Sequence, residues 1–130
     1  MIFVDSSVWI NYFNDTSCPE VEKLDAELGI TPVAIGDLVL AEVLQGFRSD
    51  RDFKTAKELL SSLTIFNILD TSLALKSVDN FRFLRKKGIT VRKTTDVIIA
   101  TFCIEKDLPL LSLDKDFQPF HDHLRLRNAL

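Results

Sequence analysis

Short apolar runs alternate with longer amphipathic stretches along this chain, and that alternation limits the folds open to it. Runs of three to six residues, at positions 2–4, 31–36, 65–69 and 109–112, have the length and composition of buried strands. The stretches between them place apolar residues at helical spacing. Strands separated by helices form a mostly parallel sheet with helices on both faces, so the sequence predicts an α/β fold.

Capping residues and glycines predict where the helices begin and end. Ser6 or Ser7 is expected to cap the first helix, and Asp37 the helix after the second strand. Gly29, Gly46 and Gly88 follow apolar stretches and are expected to end helices. The predicted helices span residues 6–13, 19–29, 37–46, 52–63, 71–88 and 96–106. The chain after residue 113 shows no clear period and predicts no regular element.

Length and composition predict one soluble domain over residues 1–130. The chain is 46% hydrophobic and 27% charged, which is typical of a globular protein and not of a disordered one. Cys18 and Cys103 belong to no paired metal or disulfide motif, so both are expected to be reduced. No apolar run approaches the roughly 20 residues that cross a membrane. These features together predict a cytoplasmic protein without membrane contact.

Six basic residues and no acidic one lie between positions 82 and 93, although the formal net charge is −3. A basic stripe of this kind can hold the phosphates of a nucleic acid. It can equally be a solvated helix face, and considered alone the two interpretations have equal weight. The stripe consists of Arg82, Arg85, Lys86, Lys87, Arg92 and Lys93.

Several carboxylates follow predicted strands or lie on apolar helices. Each has a bland explanation when considered alone: a helix cap, an ion pair, a first-turn residue or a turn former. Carboxylates gathered in one site repel each other unless a cation compensates them, and hard divalent cations prefer oxygen ligands. Such ions can also activate water for phosphodiester hydrolysis. The residues concerned are Asp5, Glu42, Asp96, Asp114 and Asp116.

Four segments in order resemble the motifs of PIN-domain ribonucleases. Residues 5–10 (DSSVWI) resemble the opening motif, and residues 41–46 (AEVLQG) the A-E-L-x-x-G segment of that family. Residues 96–100 (DVIIA) are similar to its D-x-x-I-A motif, and residues 111–117 (LSLDKDF) to its closing motif. The length of the chain resembles in particular the VapC toxins of VapBC toxin–antitoxin pairs. The fold implied by this resemblance is a PIN-like α/β domain.

The resemblance implies that Asp5, Glu42, Asp96 and Asp114 gather one or two Mg²⁺ or Mn²⁺ ions and carry catalysis. Asp5 and Asp96 are the expected direct ligands. Asp116 matches the next acidic position of the closing motif, and the sequence leaves open whether it replaces or assists Asp114.

The resemblance also implies a substrate, a surface for it and protein partners. Ser6 and Ser112 match hydroxyl positions that could bind a metal-bound water or a phosphate, and Arg92 and Lys93 are expected to contact the RNA backbone. The implied activity is endonucleolytic cleavage of loops in structured RNA such as tRNA or rRNA. The implied partners are a VapB-type antitoxin and a second copy of the chain, and Trp9 on the first helix is either core or part of such a contact.

Other function classes fit the sequence less well. A phospho-signalling receiver would have adjacent acidic residues after its first strand, where this chain has Ser6 and Ser7. A dehalogenase-type phosphotransferase would have D-x-D there. His121 and His123 have no third ligand nearby in sequence, which argues against a transition-metal site. A PIN scaffold that binds RNA without cleaving it stays open as an alternative.

Overall fold

Four parallel strands lie at the centre of the structure, a computed structural model that describes residues 1–130. The predicted α/β class is confirmed. The strands are β1 (Ile2–Val4), β2 (Val33–Gly36), β3 (Thr64–Phe66) and β4 (Leu110–Leu111). The helices are α1 (Ser6–Phe13), α2 (Pro19–Glu27), α3 (Asp37–Gln45), α4 (Asp50–Ser61), α5 (Thr71–Lys86), α6 (Thr94–Glu105) and α7 (Gln118–His123), with a 3₁₀ turn at Lys115–Phe117.

The order of the strands in the sheet is β3-β2-β1-β4. The chain therefore moves outward from β1 to β2 and β3, and then returns across the sheet to β4 on the other side of β1. Such a reversal between two neighbouring parallel strands leaves a crevice beyond their carboxyl ends, where open α/β sheets bind ligands. Here the crevice lies after Val4 of β1 and Leu111 of β4, which are paired in register.

The reversal also distributes the helices over the two faces of the sheet. Crossovers between parallel strands are right-handed, so connections that run in opposite directions lie on opposite faces. Helices α1 to α4 connect β1, β2 and β3 in one direction, and α5 and α6 connect β3 to β4 in the other. Contacts agree with this division, because α1 packs on α2 and α3, α3 packs on α4, and α5 packs on α6.

The core forms because β1, β2 and β4 are covered on both faces and consist almost entirely of apolar residues. Phe3 of β1 is fully buried, and its ring centroid lies 6.1 Å from that of Phe102 on α6. Helix α6 has eight consecutive buried residues, from Asp96 to Cys103, as its apolar composition predicts. Gly36 at the end of β2 is required by close packing, because a Cβ there would collide with the side chain of Ile68.

The predicted N-caps of α1 and α3 are wrong, and in each helix the position of an aspartate differs from the prediction. The N-cap of α1 is Asp5, whose carboxylate accepts the Ser7 N–H, and not Ser6 or Ser7. Asp37 is the first residue of α3 and not its cap; its Oδ1 accepts the N–H groups of Leu38 and Ile68 and so ties α3 to the segment after β3. The N-cap therefore lies one or two residues before the predicted position in α1 and one residue before it, at Gly36, in α3.

Other differences concern the ends of elements and the tail. Most boundaries shift by one to three residues, because helix ends fray and short strands end where pairing ends. The C-terminal region contains α7, which the sequence did not predict because six residues give too few turns for a period. Leu110 of β4 forms a bridge with Asn128, so this tail covers one edge of the sheet. No helix is long and apolar enough to span a membrane.

Candidate functional site

Asp5 lies directly after β1, at the crevice where the strand order reverses, and is only 4% exposed. Its Oδ2 accepts hydrogen bonds from the Ser7 hydroxyl at 2.8 Å and from the Ser112 hydroxyl at 3.0 Å, besides the Ser7 N–H at 3.4 Å. These three donors fix the rotamer of the Asp5 side chain. The other oxygen, Oδ1, accepts no hydrogen bond from the protein and is free for a ligand.

The two serines also hold the loop after β4. Ser7 Oγ accepts the Leu113 N–H at 3.0 Å, and Ser112 Oγ accepts the Asp114 N–H at 3.0 Å. Asp114 in turn caps the 3₁₀ turn, because its Oδ1 accepts the Asp116 N–H at 2.9 Å. The ends of β1 and β4 are therefore joined by a continuous polar network that determines where Asp114 and Asp116 stand.

Three carboxylates converge at this point. Asp96, in the first turn of α6, Asp114 and Asp116 each place an oxygen within 4.8 Å of the others. Asp96 is only 7% exposed, and its Oδ2 is buried without any hydrogen-bond partner. A buried carboxylate oxygen without a donor is costly, so this atom requires a proton or a cation.

The electrostatics of the cluster lead to the same conclusion. Burial, with the negative charges of Asp114 and Asp5, raises the pKa of Asp96 to about 7. Burial and the charge of Asp5 also raise the pKa of Glu42. Asp96 is therefore only partly ionised near neutral pH in the absence of a cation, because nothing in the protein compensates its charge fully.

Glu42 reaches the crevice from α3 and is the outermost of the acidic set. Its Oε2 accepts the Ser6 hydroxyl at 3.3 Å, and its side chain is more exposed than that of Asp5 or Asp96. Glu42 lies outside the three-carboxylate cluster, as Asp5 does. The five predicted acidic residues therefore form two groups: Asp96, Asp114 and Asp116 close together, and Asp5 and Glu42 beside them.

The positive charge nearest to the cluster comes from the basic stripe. Lys93 Nζ lies 3.9 Å from Asp114 Oδ2, and the lysine side chain is 65% exposed. Such an exposed ion pair contributes at most about 1 kcal/mol, so it does not neutralise the cluster. Arg92 is exposed beside it and forms no ion pair within the chain. Both side chains are thus available to an anion that approaches the carboxylates.

A divalent cation fits these residues. Three convergent carboxylates, one with an orphaned buried oxygen, are the donor set that hard ions such as Mg²⁺, Mn²⁺ and Ca²⁺ prefer. A cation there would restore the ionised form of Asp96 and remove the repulsion among the three side chains. The site contains no histidine or cysteine ligand that would favour a softer metal.

Sequence reasoning did not identify Ser7 as a site residue. It selected Ser6, but Ser6 bonds to Glu42, whereas Ser7 holds Asp5 and the loop after β4. The signal was present, since a residue two positions after a helix cap places its N–H and side chain at the cap. The sequence also left the choice between Asp114 and Asp116 open, and the structure brings both into the cluster.

Two features outside the acidic set have structural roles. Trp9 is fully buried in the core, so it offers no surface to a partner; Tyr12 and Phe13, which pack against it, are partly exposed. The indole N–H of Trp9 is buried without a hydrogen-bond partner. His121 Nδ1 lies 2.8 Å from the Leu126 carbonyl oxygen, which ties α7 to the tail.

Comparisons with known proteins relate the chain to nucleases and to toxin–antitoxin systems. It is 29% identical over 120 residues to "Ribonuclease VapC11" of Mycobacterium tuberculosis, an alignment that covers 90% of this chain and 89% of that protein. The fold is similar to that of VapBC2 from Rickettsia felis, solved bound to a DNA fragment of its promoter, with a TM-score of 0.73 and 19% identity. That superposition covers 99% of this chain and 98% of the other.

A second solved structure is similar over most of its length. VapC20 of Mycobacterium tuberculosis, described as a toxin that cleaves the sarcin–ricin loop, superposes with a TM-score of 0.66 and 18% identity, over 91% of this chain and 93% of that one. The family model of the PIN domain matches residues 2–120 and so includes every acidic residue of the site. The chain belongs to the PIN domain family.

Proposed function

We propose that this protein is a metal-dependent endoribonuclease, a phosphodiester hydrolase that acts as the toxin of a toxin–antitoxin pair. The observation that carries the proposal is the convergence of Asp96, Asp114 and Asp116 around a buried carboxylate oxygen without a partner. The site lies at the strand-order reversal, where a ligand can enter. The similarity to proteins named VapC ribonuclease supports the same activity.

Asp96, Asp114 and Asp116 would hold one Mg²⁺ or Mn²⁺ ion, and Asp5 with Glu42 would complete that coordination or hold a second ion. A bound ion supplies an activated water and stabilises the leaving oxygen during phosphodiester hydrolysis. We assign catalysis to Asp5, Glu42, Asp96 and Asp114, with Asp116 as a further ligand. A bound metal ion lowers the pKa of its water, so no histidine or lysine of the protein is required as a general base.

The other polar residues of the crevice position the ligands and the substrate. Ser112 and Ser7 orient Asp5, and Ser6 restrains Glu42, because their hydroxyls donate hydrogen bonds to these carboxylates. We assign to Ser6 and Ser112, as a second role, contact with a phosphate of the substrate. Arg92 and Lys93 would hold backbone phosphates on either side of the cleaved bond, since both are exposed and basic next to the acidic cluster.

The proposed substrate is a loop of structured RNA, from tRNA or rRNA. The name of VapC20, a toxin that cleaves a ribosomal RNA loop, supports this class of substrate. The proposed partners are a VapB-type antitoxin, which the toxin–antitoxin complexes among the similar structures support, and a second copy of the chain. The homodimer follows from family resemblance alone, and light scattering of the purified protein tests it directly.

Cleavage of total cellular RNA by the purified, partner-free protein tests the activity. The reaction is run with Mn²⁺, with Mg²⁺ and with EDTA, beside an Asp96→Asn variant that keeps the shape of the side chain. Discrete fragments that require the metal and are absent with Asp96→Asn are the expected result. An exposed variant, Asp50→Asn on α4, serves as the matched control and should cleave normally.

The second candidate is a PIN scaffold that binds RNA without cleaving it. It predicts RNA binding with no fragments in any metal, and the same experiment distinguishes it when binding is measured in parallel. A receiver-like signalling module does not fit, because receivers have the strand order 2-1-3-4-5, whereas this sheet has the order β3-β2-β1-β4.

A further inference from the structure

A groove of about 680 Å³ lies between α5 and the beginning of α6. One wall comes from α5, through Ala74, Ser77, Val78 and Phe81. The other wall comes from the segment before α6 and from its first turns, including Arg92. Its volume is within the range of sites that hold small organic ligands. None of the five acidic residues of the candidate site lines this groove.

The groove and Asp96 lie on opposite sides of the first turns of α6, and the segment before α6 borders both. Thr94, Val97 and Ile98 line the groove at the spacing i, i+3 and i+4, so they share one helix face. Asp96 points to the opposite side of the helix, where it meets Asp114.

The segment before α6 joins the two sites, because Arg92 lines the groove and the next residue, Lys93, places its Nζ 3.9 Å from Asp114 Oδ2. A nucleotide strand held by both basic residues would therefore reach from the groove to the carboxylates.

The groove walls have the chemistry that binds a nucleobase. Seven of the eleven lining residues are hydrophobic, and Phe81 offers an aromatic ring with the Arg85 guanidinium 5.6 Å from its centroid. Unpaired bases bind by stacking on aromatic rings and arginine planes, and by hydrogen bonds to their edges. Hydroxyls for such edges come from Thr90 and Thr94.

Charge and hydrogen-bonding needs favour a nucleotide over an apolar protein segment. No acidic side chain lines the groove, and Arg92 does, so an anionic ligand meets no repulsion there. Ser77 is only 5% exposed, and its hydroxyl has no hydrogen-bond partner in the protein. An apolar peptide would leave that hydroxyl unsatisfied, whereas a base with polar edges can reach it after a small rotation of the side chain.

We propose that this groove between α5 and α6 is a subsite for one unpaired nucleobase next to the phosphate that the acidic cluster cleaves. The proposal rests on the proposed ribonuclease function and adds a determinant of substrate choice to it. A base lodged in the groove would fix the register of the strand, so that the neighbouring phosphodiester lies over the carboxylates. The groove would thereby select RNA loops in which that base is free of pairing.

Binding of single nucleotides tests the subsite without any cleavage. The metal-free protein is titrated with each of the four ribonucleoside 5′-monophosphates, and with ribose 5-phosphate, while methyl resonances are followed by NMR. We expect at least one nucleotide to shift the methyl signals of Val78, Val91 and Ile98, which line the groove. Ribose 5-phosphate should leave them unchanged, because it has no base.

Two tryptophan variants on α5 distinguish the effect of filling the groove from the effect of added bulk beside it. Ala74→Trp fills the groove, whereas Leu75→Trp adds the same bulk at a neighbouring residue that is 64% exposed and outside the groove. Ala74→Trp should abolish the nucleotide shifts and weaken RNA binding about tenfold, the usual loss for one stacked base. Leu75→Trp should behave as the unmodified protein. Circular dichroism and thermal melts establish that both fold.

Several results would overturn the subsite, and they differ from a failure of the nuclease itself. No methyl shift with any nucleotide, or equal shifts with ribose 5-phosphate, would exclude a base-binding groove even if RNA is cleaved. A dimer by light scattering that Ala74→Trp alone converts to monomer would assign the groove to a second copy of the chain. Nucleotide shifts in a protein that never cleaves RNA would support the groove and refute the nuclease.

Discussion

The Ser112 hydroxyl donates to Asp5 Oδ2 at 3.0 Å and thereby joins the ends of β4 and β1 at the crevice of the sheet. The same oxygen of Ser112 accepts the Asp114 N–H, so one side chain restrains a carboxylate from each end of the chain. Ser112 and Asp5 are 107 positions apart in sequence. The geometry of the acidic site therefore depends on the pairing of β1 with β4, which only the complete fold provides.

Replacing Ser112 by alanine should weaken metal binding and slow RNA cleavage about 10- to 100-fold, as is usual for partners that orient metal ligands. Asp5 would lose one of its donors, and the Asp114 N–H would lose its acceptor. Mn²⁺ affinity by calorimetry and initial cleavage rates measure the effect. Ser72→Ala, at an exposed position of α5, is the control. Unchanged Mn²⁺ affinity would show that Asp5 and Asp114 need no such restraint.

The stability of the metal-free protein should decrease as pH rises from about 5 to 8. The pKa of Asp96 is about 7 in the folded protein and about 3.9 for an unperturbed aspartate. Between these values the folded state binds more protons than the unfolded state, so the free energy of unfolding falls with rising pH. The loss should be on the order of 2–4 kcal/mol, because burial and not exposed charge dominates the shift.

Urea denaturation in EDTA at four pH values measures this dependence. Asp96→Asn should lose most of this pH dependence, keeping the part that comes from the raised pKa of Glu42. It should be more stable than the unmodified protein at pH 8, since residue 96 then has no charge to bury. Adding Mn²⁺ should stabilise the unmodified protein most at pH 8, where protons compete least with the metal. A profile that rises with pH in EDTA would contradict the raised pKa of Asp96.

The sequence predicted the sheet and selected five acidic residues that the structure places at one edge of it, because both inferences depend on local patterns. Five residues are enough to recognise an apolar strand followed by Asp5, and ten are enough to recognise the apolar helix α6 with Asp96 in its first turn. The sequence did not predict that Asp96, Asp114 and Asp116 alone form the close cluster, because this arrangement follows from the loop that Ser7 and Ser112 hold. That loop conformation depends on contacts between the two ends of the chain.

Trp9 is a second residue whose role the sequence alone could not decide. Its position on a short amphipathic helix is compatible with a core residue or with a partner surface, and only packing decides between them. In the structure it stacks on Phe13, with ring centroids 5.9 Å apart, and is fully buried. Helical spacing identifies which residues share a face, but not which face the sheet and α2 cover.

Removing the positive charges of Arg92 and Lys93 together should weaken RNA binding and flatten its salt dependence. Each basic residue that contacts a phosphate contributes about one unit to the slope of log K against log salt, so the double alanine variant should lose one to two units. Fluorescence anisotropy with a labelled RNA hairpin measures this in EDTA, where no cleavage occurs. Alanine at Arg51 and Lys54, on the exposed side of α4, gives the matched control. An equal loss in both variants would mean that the stripe attracts RNA only through net charge.

Replacing Gly36 by alanine should destabilise the fold by about 1–3 kcal/mol, the usual cost of overpacking a core. The new Cβ would collide with the Ile68 side chain, which is only 2% exposed and has little room to move. Ile68→Val removes the methyl group that causes the worst contact, so Gly36→Ala/Ile68→Val should lose less stability than the sum of the two single variants. Chemical denaturation of the four proteins gives the coupling energy between the two sites. Strict additivity would show that the backbone at the end of β2 relaxes instead, and Glu42 on the following helix would then shift with it.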